Sequence, residues 1–142
     1  MRVFICSYRS FSLAIPMESV SSIFLYRDNT NEKFFYDQEK RNTYISLTGL
    51  FNCHDLILHH GIILKDNNQD ADLMEDKMIL LSTEIEREKE IPGDKFFPVP
   101  KCLGVFQFSS VFKGIFYSIS AGKIILLLNP EQLVQNIKKE IL

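Results

Sequence analysis

Four residues that can ligate metal or act as nucleophiles crowd into eight positions: Cys53, His54, His59 and His60 in "CHDLILHH". Thiolate and imidazole together form a zinc donor set, and a cysteine beside a histidine can make a nucleophilic pair. Along an extended strand, however, His54 and His60 point to one face and His59 to the other, so three ligands do not converge. The spacing of structural zinc sites is missing, and no recognisable motif surrounds the cysteine. The expectation is no metal and no cofactor; a small metal- or cysteine-dependent enzyme using Cys53, His54 and His60 is the alternative from that class. A second stretch, Asp66, Asn68, Asp70 and Asp72, opens like a calcium loop. Ala71 stands where the sharp turn needs glycine, and Lys77 where a bidentate glutamate belongs. In "TEIEREKE" (83–90) the carboxylates interleave with Arg87 and Lys89, so nothing drives their pKa values apart. That run reads as a solvated edge whose mixed charge discourages aggregation. With no nucleophile elbow, phosphate-binding glycine loop or HExxH pair, no catalytic residue is assigned and the chain reads as a non-enzyme.

The elements that would carry these residues are mostly strands. Period-two alternation and short apolar runs predict strands at about 2–8, 11–15, 20–26, 33–37, 43–47, 55–65, 77–84, 112–119 and 123–128. Arg9 and Ser10 supply a tight turn between the first two, and 16–19 and 48–52 read as single turns. "DQEKRN" (37–42) is a further turn, and "IPGDKFFPVPKCLG" (91–104), with three prolines and two glycines, is a rigid connector. At the end, Asn129 can cap a helix whose first turn holds Pro130, Glu131 and Gln132, the last placed for a capping box. Leu133, Ile137 and Ile141 give that helix an apolar face, and Lys138 and Lys139 suit its C-terminal dipole. Many short strands with one terminal helix predict an all-β domain of small closed or partly closed barrels, which remove exposed sheet edges.

The totals narrow the function. A chain of 142 residues makes one domain, 1–142, able to bury roughly two-thirds of its unfolded surface. A net charge of −2 offers phosphate no basic field, so neither nucleic acid nor a membrane surface is expected as a partner. Cys6, Cys53 and Cys102 are odd in number and widely spaced, which fits a reducing cytoplasm better than a disulfide framework. "MRVFICSYRSFSLAIP" is broken by Ser7, Tyr8 and Arg9 and does not read as a signal peptide, and no run reaches bilayer length.

Taken in order, several segments resemble the CheW-like chemotaxis coupling proteins. "FICSYRSFSLAIPMESVSSI" is similar to that family's opening hairpin, A-I-P-like segment and V-x-E-I motif, with Val20, Ser22 and Ile23 in the motif positions. "YISLTGLF" resembles its V-I-D-L segment, and "DKMILLSTEIEREKEIPGDKFFPVP" its aliphatic strand, V-x-x-V strand and proline connector. "VFKGIFYSISAGKIILLLNPEQL" resembles its closing signature, with Gly114, Gly122 and Leu133 matching. The resemblance implies two five-stranded β-barrel subdomains sharing a hydrophobic seam, followed by a C-terminal helix. It also implies a non-enzymatic cytoplasmic adaptor linking the chemoreceptor cytoplasmic tip to the regulatory domain of a CheA-type histidine kinase. The partner-binding residues it implies are Val20, Ser22 and Ile23 on one surface and Phe112, Lys113 and Gly114 on a second. The chain departs from the family at three places. Ser22 replaces the motif glutamate, Glu88 replaces the second valine of V-x-x-V, and the stretch between Ile23 and Tyr44 lacks an N-L-R-G segment. The alternative within this resemblance is therefore a degenerate CheW-like subunit with altered partners, structural or competing.

Overall fold

The computed structural model describes residues 1–28, 32–65, 77–99, 109–118 and 122–141. The calcium-like loop and Cys102 lie outside the described residues. The elements are β1 (Arg2–Ser7), β2 (Phe11–Pro16), β3 (Val20–Leu25), β4 (Phe34–Asp37), β5 (Asn42–Ser46), α1 (Leu47–Leu50), β6 (His60–Leu64), β7 (Lys77–Ser82), β8 (Ile85–Glu90), β9 (Phe112–Ser118), β10 (Lys123–Leu128) and α2 (Pro130–Ile141). The class is all-β, with two five-stranded sheets and a C-terminal helix. The chain divides into two units, Met1–Glu18 with Ile85–Leu142, and Ser19–Glu84.

The first unit holds the sheet ordered β8-β1-β2-β10-β9. Its inner face is aliphatic: Val3, Ile5, Ala14, Ile91, Ile125 and Leu127 are buried together, with Phe96 and Phe116 packed against them. The opposite faces of β1 and β2 carry Phe4, Cys6, Leu13 and Ile15, also buried, so these strands read as continuous apolar runs. Laid flat, the edge strands β8 and β9 would lie about 19 Å apart, four strand spacings. Yet the Lys89 ammonium sits 5.5 Å from the centre of the Phe116 ring, so the sheet curls on itself. Just beyond β8, Phe97 completes the curl: its N–H donates to the Ile115 carbonyl and its carbonyl accepts from the Ile115 N–H, both at 2.8 Å. Gly114 makes this approach possible, because a Cβ there would lie 3.0 Å from the Phe97 carbonyl oxygen and 3.1 Å from the Phe96 Cβ. The proline-rich connector thus supplies a closing bridge as well as a turn.

In the same unit α2 begins as its cap predicts. The Asn129 Oδ1 accepts from the Gln132 N–H at 3.3 Å, and Leu133 and Ile137 are buried. The capping box is only half formed. The Gln132 side chain turns down the helix and donates to the Asn136 Oδ1 at 2.9 Å, an i,i+4 pair, rather than reaching back to the cap.

The second unit holds the sheet ordered β3-β6-β7-β5-β4. Its core is aromatic on one face: Tyr44, Leu58, Ile79 and Leu81 are buried, with Phe24, Tyr26, Phe35 and Ile63 against them. Phe35 stacks on Tyr44 at 4.8 Å and Tyr26 tilts against it at 6.4 Å, so rings from both edges of the sheet meet over its middle. Phe24 lies across its register partner Gly61, where any Cβ would collide with the ring. This is how a bare glycine in a strand is covered by a neighbouring aromatic.

Two expectations change. Residues 55–59 are not strand; β6 starts at His60. The charged run 85–90 is a strand, and it is the edge strand of its sheet, which agrees with the solvated edge. Its inward-facing positions opposite Ile5 and Val3 are Arg87 and Lys89, so it carries no apolar alternation to read.

Candidate functional site

The turn that carries Cys53 is built by capping. Ser46 caps α1, its Oγ accepting from the Gly49 N–H at 3.2 Å. At the other end Asn52 takes the left-handed conformation (φ 55°), and the Cys53 N–H donates to the Thr48 carbonyl at 2.8 Å. With the Asn52 N–H on the Gly49 carbonyl at 3.4 Å, this is a Schellman closure, and it seats the residue after the left-handed one against the helix. Cys53 is that residue: it is buried, and its Sγ donates to the Phe51 carbonyl at 3.4 Å. His54 points out and is exposed, while His59 and His60 stand side by side with ring centres 4.9 Å apart. The two-faced strand expected for these histidines gives way to this turn. Among the described residues no three metal-ligating side chains converge. Burial, and secondarily the neighbouring His59, lowers the His60 pKa, with Glu84 pulling the other way. Nothing here assembles a nucleophile with a base, and the cysteine's place is explained by the helix end.

The two expected binding stretches both lie on edge strands, and on different sheets. On β3, Val20 is half-buried and Ser22 is exposed, with a bulge between them against β6. Ile23 is register partner to Ile62, and the row continues through Leu80, Ile45 and Phe34. Ile62, Leu80 and Ile45 are fully buried, while Ile23, at the end of the row, is 37% exposed. The burial of that row thus runs out at an open edge. On β9, Lys113 is exposed, Phe112 half-buried and Gly114 buried under Phe96 and Phe97. This edge already has its hydrogen bonds taken at Ile115 by Phe97.

The structure adds residues that the sequence reading passed over. Leu25, two positions beyond Ile23 and on the same face of β3, is 60% exposed, and Ile57 is 69% exposed. Both line an open concavity with Tyr26, Arg27, Leu58 and His59. Burial, then Asp28 and Tyr44, raises the Tyr26 pKa, so its hydroxyl stays neutral. Period two along β3 is the signal that pairs Leu25 with Ile23; for Ile57 no sequence signal exists, because 55–59 reads as part of a strand. What this surface can do is bind. An edge strand with apolar side chains at alternate positions, beside this concavity, suits an extended segment added as a further strand.

No protein-family model matches this sequence, and no curated protein matches it. Solved structures do match, in fifteen chains. One is the crystal structure of the scaffolding protein TtCheW from Thermoanaerobacter tengcongensis, with a TM-score of 0.61 and 13% identity over 89% of this chain and 82% of that one. At that identity the likeness establishes the fold, which is CheW-like.

Proposed function

We propose that this chain is a non-enzymatic adaptor of a chemotaxis or related two-component pathway, working on the cytoplasmic side. In this reading the two units act as one coupling domain that joins a chemoreceptor tip to the regulatory domain of a CheA-type histidine kinase. The observation that carries it is the fold shared with a CheW scaffold over nearly the whole chain. The open β3 edge, with Val20, Ser22, Ile23 and Leu25, supports it as a contact surface, and Phe112, Lys113 and Gly114 mark a second one. Exposed apolar side chains at alternate positions of an edge strand can anchor a strand added from a partner.

A second reading keeps the fold and changes the partners. It is favoured by the stretch between Ile23 and Tyr44, whose sequence lacks an N-L-R-G segment. The two readings separate in a binding titration against a purified kinase regulatory domain and a receptor-tip fragment. The adaptor binds at least one of them at or below about 50 µM, and Ile23→Asp or Leu25→Asp weakens that binding by tenfold or more, about 1.4 kcal/mol. Failure of both partners to bind removes the coupling role and leaves the fold standing.

A further inference from the structure

The inner face of the first sheet is aliphatic for most of its length, then turns polar at one end. The register shows where. Val3, Ile5, Ala14, Leu127 and Ile125 form the apolar rungs, and the next positions on the same face are Ser7 opposite Ser12, and Lys123 opposite Ser118. Arg87 joins them from β8, where it is partner to Ile5. These side chains line one concavity, with Ile5 and Ile125 as its floor and Glu86 at its rim.

We infer that this end of the first sheet binds a small oxyanion of phosphate type. Ser12 is 5% exposed and Ser118 4% exposed, and both side chains line this opening. No hydrogen bond is found for the Ser12 hydroxyl among the described residues, whereas Ser7 and Ser118 are already held by interactions within the protein. Arg87 and Lys123 line the same concavity, and no ion pair to a carboxylate is found for either among the described residues. Two cations against the single carboxylate of Glu86 leave a local positive balance in a chain that is net negative.

A guanidinium fork, an ammonium and a hydroxyl donor are groups whose hydrogen bonds a tetrahedral oxyanion accepts, and the charged members give the stronger bonds. The apolar floor limits what enters. Ile5 and Ile125 offer nothing to a polar group pushed deeper, so the ligand is small, or the terminal phosphoryl group of a larger molecule. This site lies in the other unit from the β3 edge and does not rest on the adaptor reading.

The test is an amide-shift titration with inorganic phosphate, with glycerol phosphate in a parallel arm, at ionic strength held constant with sodium chloride. The expected result is saturable shifts at Ser12, Ser118 and Lys123 below about 10 mM ligand. Arg87→Gln and Lys123→Gln each weaken binding about tenfold, since each removes a charged hydrogen bond from an exposed position that the fold does not need. Glu86→Gln, which removes the opposing charge, tightens it. Tighter binding of glycerol phosphate assigns the ligand to a phosphorylated small molecule, and equal binding assigns it to free phosphate. Shifts that never saturate, or that are the same in the Arg87, Lys123 and Glu86 variants as in the parent, overturn the inference.

Discussion

The two sheets are built on one plan and filled in two ways. Read across each sheet, the pairings run antiparallel, antiparallel, parallel, antiparallel: β8-β1-β2-β10-β9 in the first and β3-β6-β7-β5-β4 in the second. The first is packed with aliphatic side chains and drawn shut by backbone, through the Phe97–Ile115 bridge. The second is packed with rings, and side chains span the gap that backbone spans in the first. A backbone bridge also consumes the free edge of β9, whereas side-chain filling leaves the edge of β3 open for a partner.

The largest effect expected from this contrast is at Tyr44, on which Phe35 and Tyr26 converge. Tyr44→Ala removes the ring that both edges share and destabilises the second unit by about 3–5 kcal/mol. Tyr44→Phe keeps the ring and loses only a weak acceptance from the Asn42 Nδ2 at 3.4 Å, so it costs less than about 1 kcal/mol. Urea unfolding, with hydrogen exchange read on β4, β5 and β7, makes the comparison. If the alanine variant proves as mild as the phenylalanine one, rings do not hold this sheet's curl.

The two glycines sharpen the same contrast at a smaller scale. Gly61→Ala and Gly114→Ala each crowd a closure and cost about 1–3 kcal/mol. They differ in what they crowd. At Gly61 the obstacle is the Phe24 ring, so adding Phe24→Ala relieves the clash, and a double-mutant cycle shows a coupling of about 1 kcal/mol or more. At Gly114 the nearest atom is the Phe97 backbone carbonyl, which no side-chain truncation removes. Relief of Gly114→Ala by Phe96→Ala, as complete as at the other site, would erase the distinction between the two closures.

Much of this architecture is written in residue order, and the exceptions have physical causes. Alternating or continuous apolar residues mark most of the buried strands, and Asn129 announces its helix through capping. β8 escapes because the side chains it turns inward are Arg87 and Lys89, and a lysine that covers Phe116 does by cation–π contact what an aliphatic residue does elsewhere. Residues 55–59 mislead in the opposite sense. Leu56 and Leu58 alternate as in a strand, but the Schellman closure before them directs the chain into a turn, with the Leu56 N–H on the Cys53 carbonyl. For the candidate site, Val20, Ser22 and Ile23 were found through family resemblance. That their strand lies at an edge depends on pairing order, which no local pattern encodes. Leu25 and Ile57 become visible only once that edge exists.

The smallest expected effect concerns pH, and it separates the second unit from the first because all three histidines lie in it. Burial and the adjacent His59 ring place the His60 pKa below its unfolded value of 6.5, and Glu84 opposes them. As pH falls through 6.5, the unfolded chain therefore takes up its proton before the folded chain does, and stability is lost on that descent. Above 6.5 both states are neutral at this site and nothing changes. His60→Gln removes the effect, so between about pH 7.5 and about pH 5.5 the parent loses more of its urea midpoint than the variant. Carboxylates titrating lower down affect both proteins alike and cancel in that difference. A parent that gains stability relative to the variant over the same interval would mean that Glu84, rather than burial and His59, governs the pair, and that the corner beside Leu25 is held by charge rather than by packing.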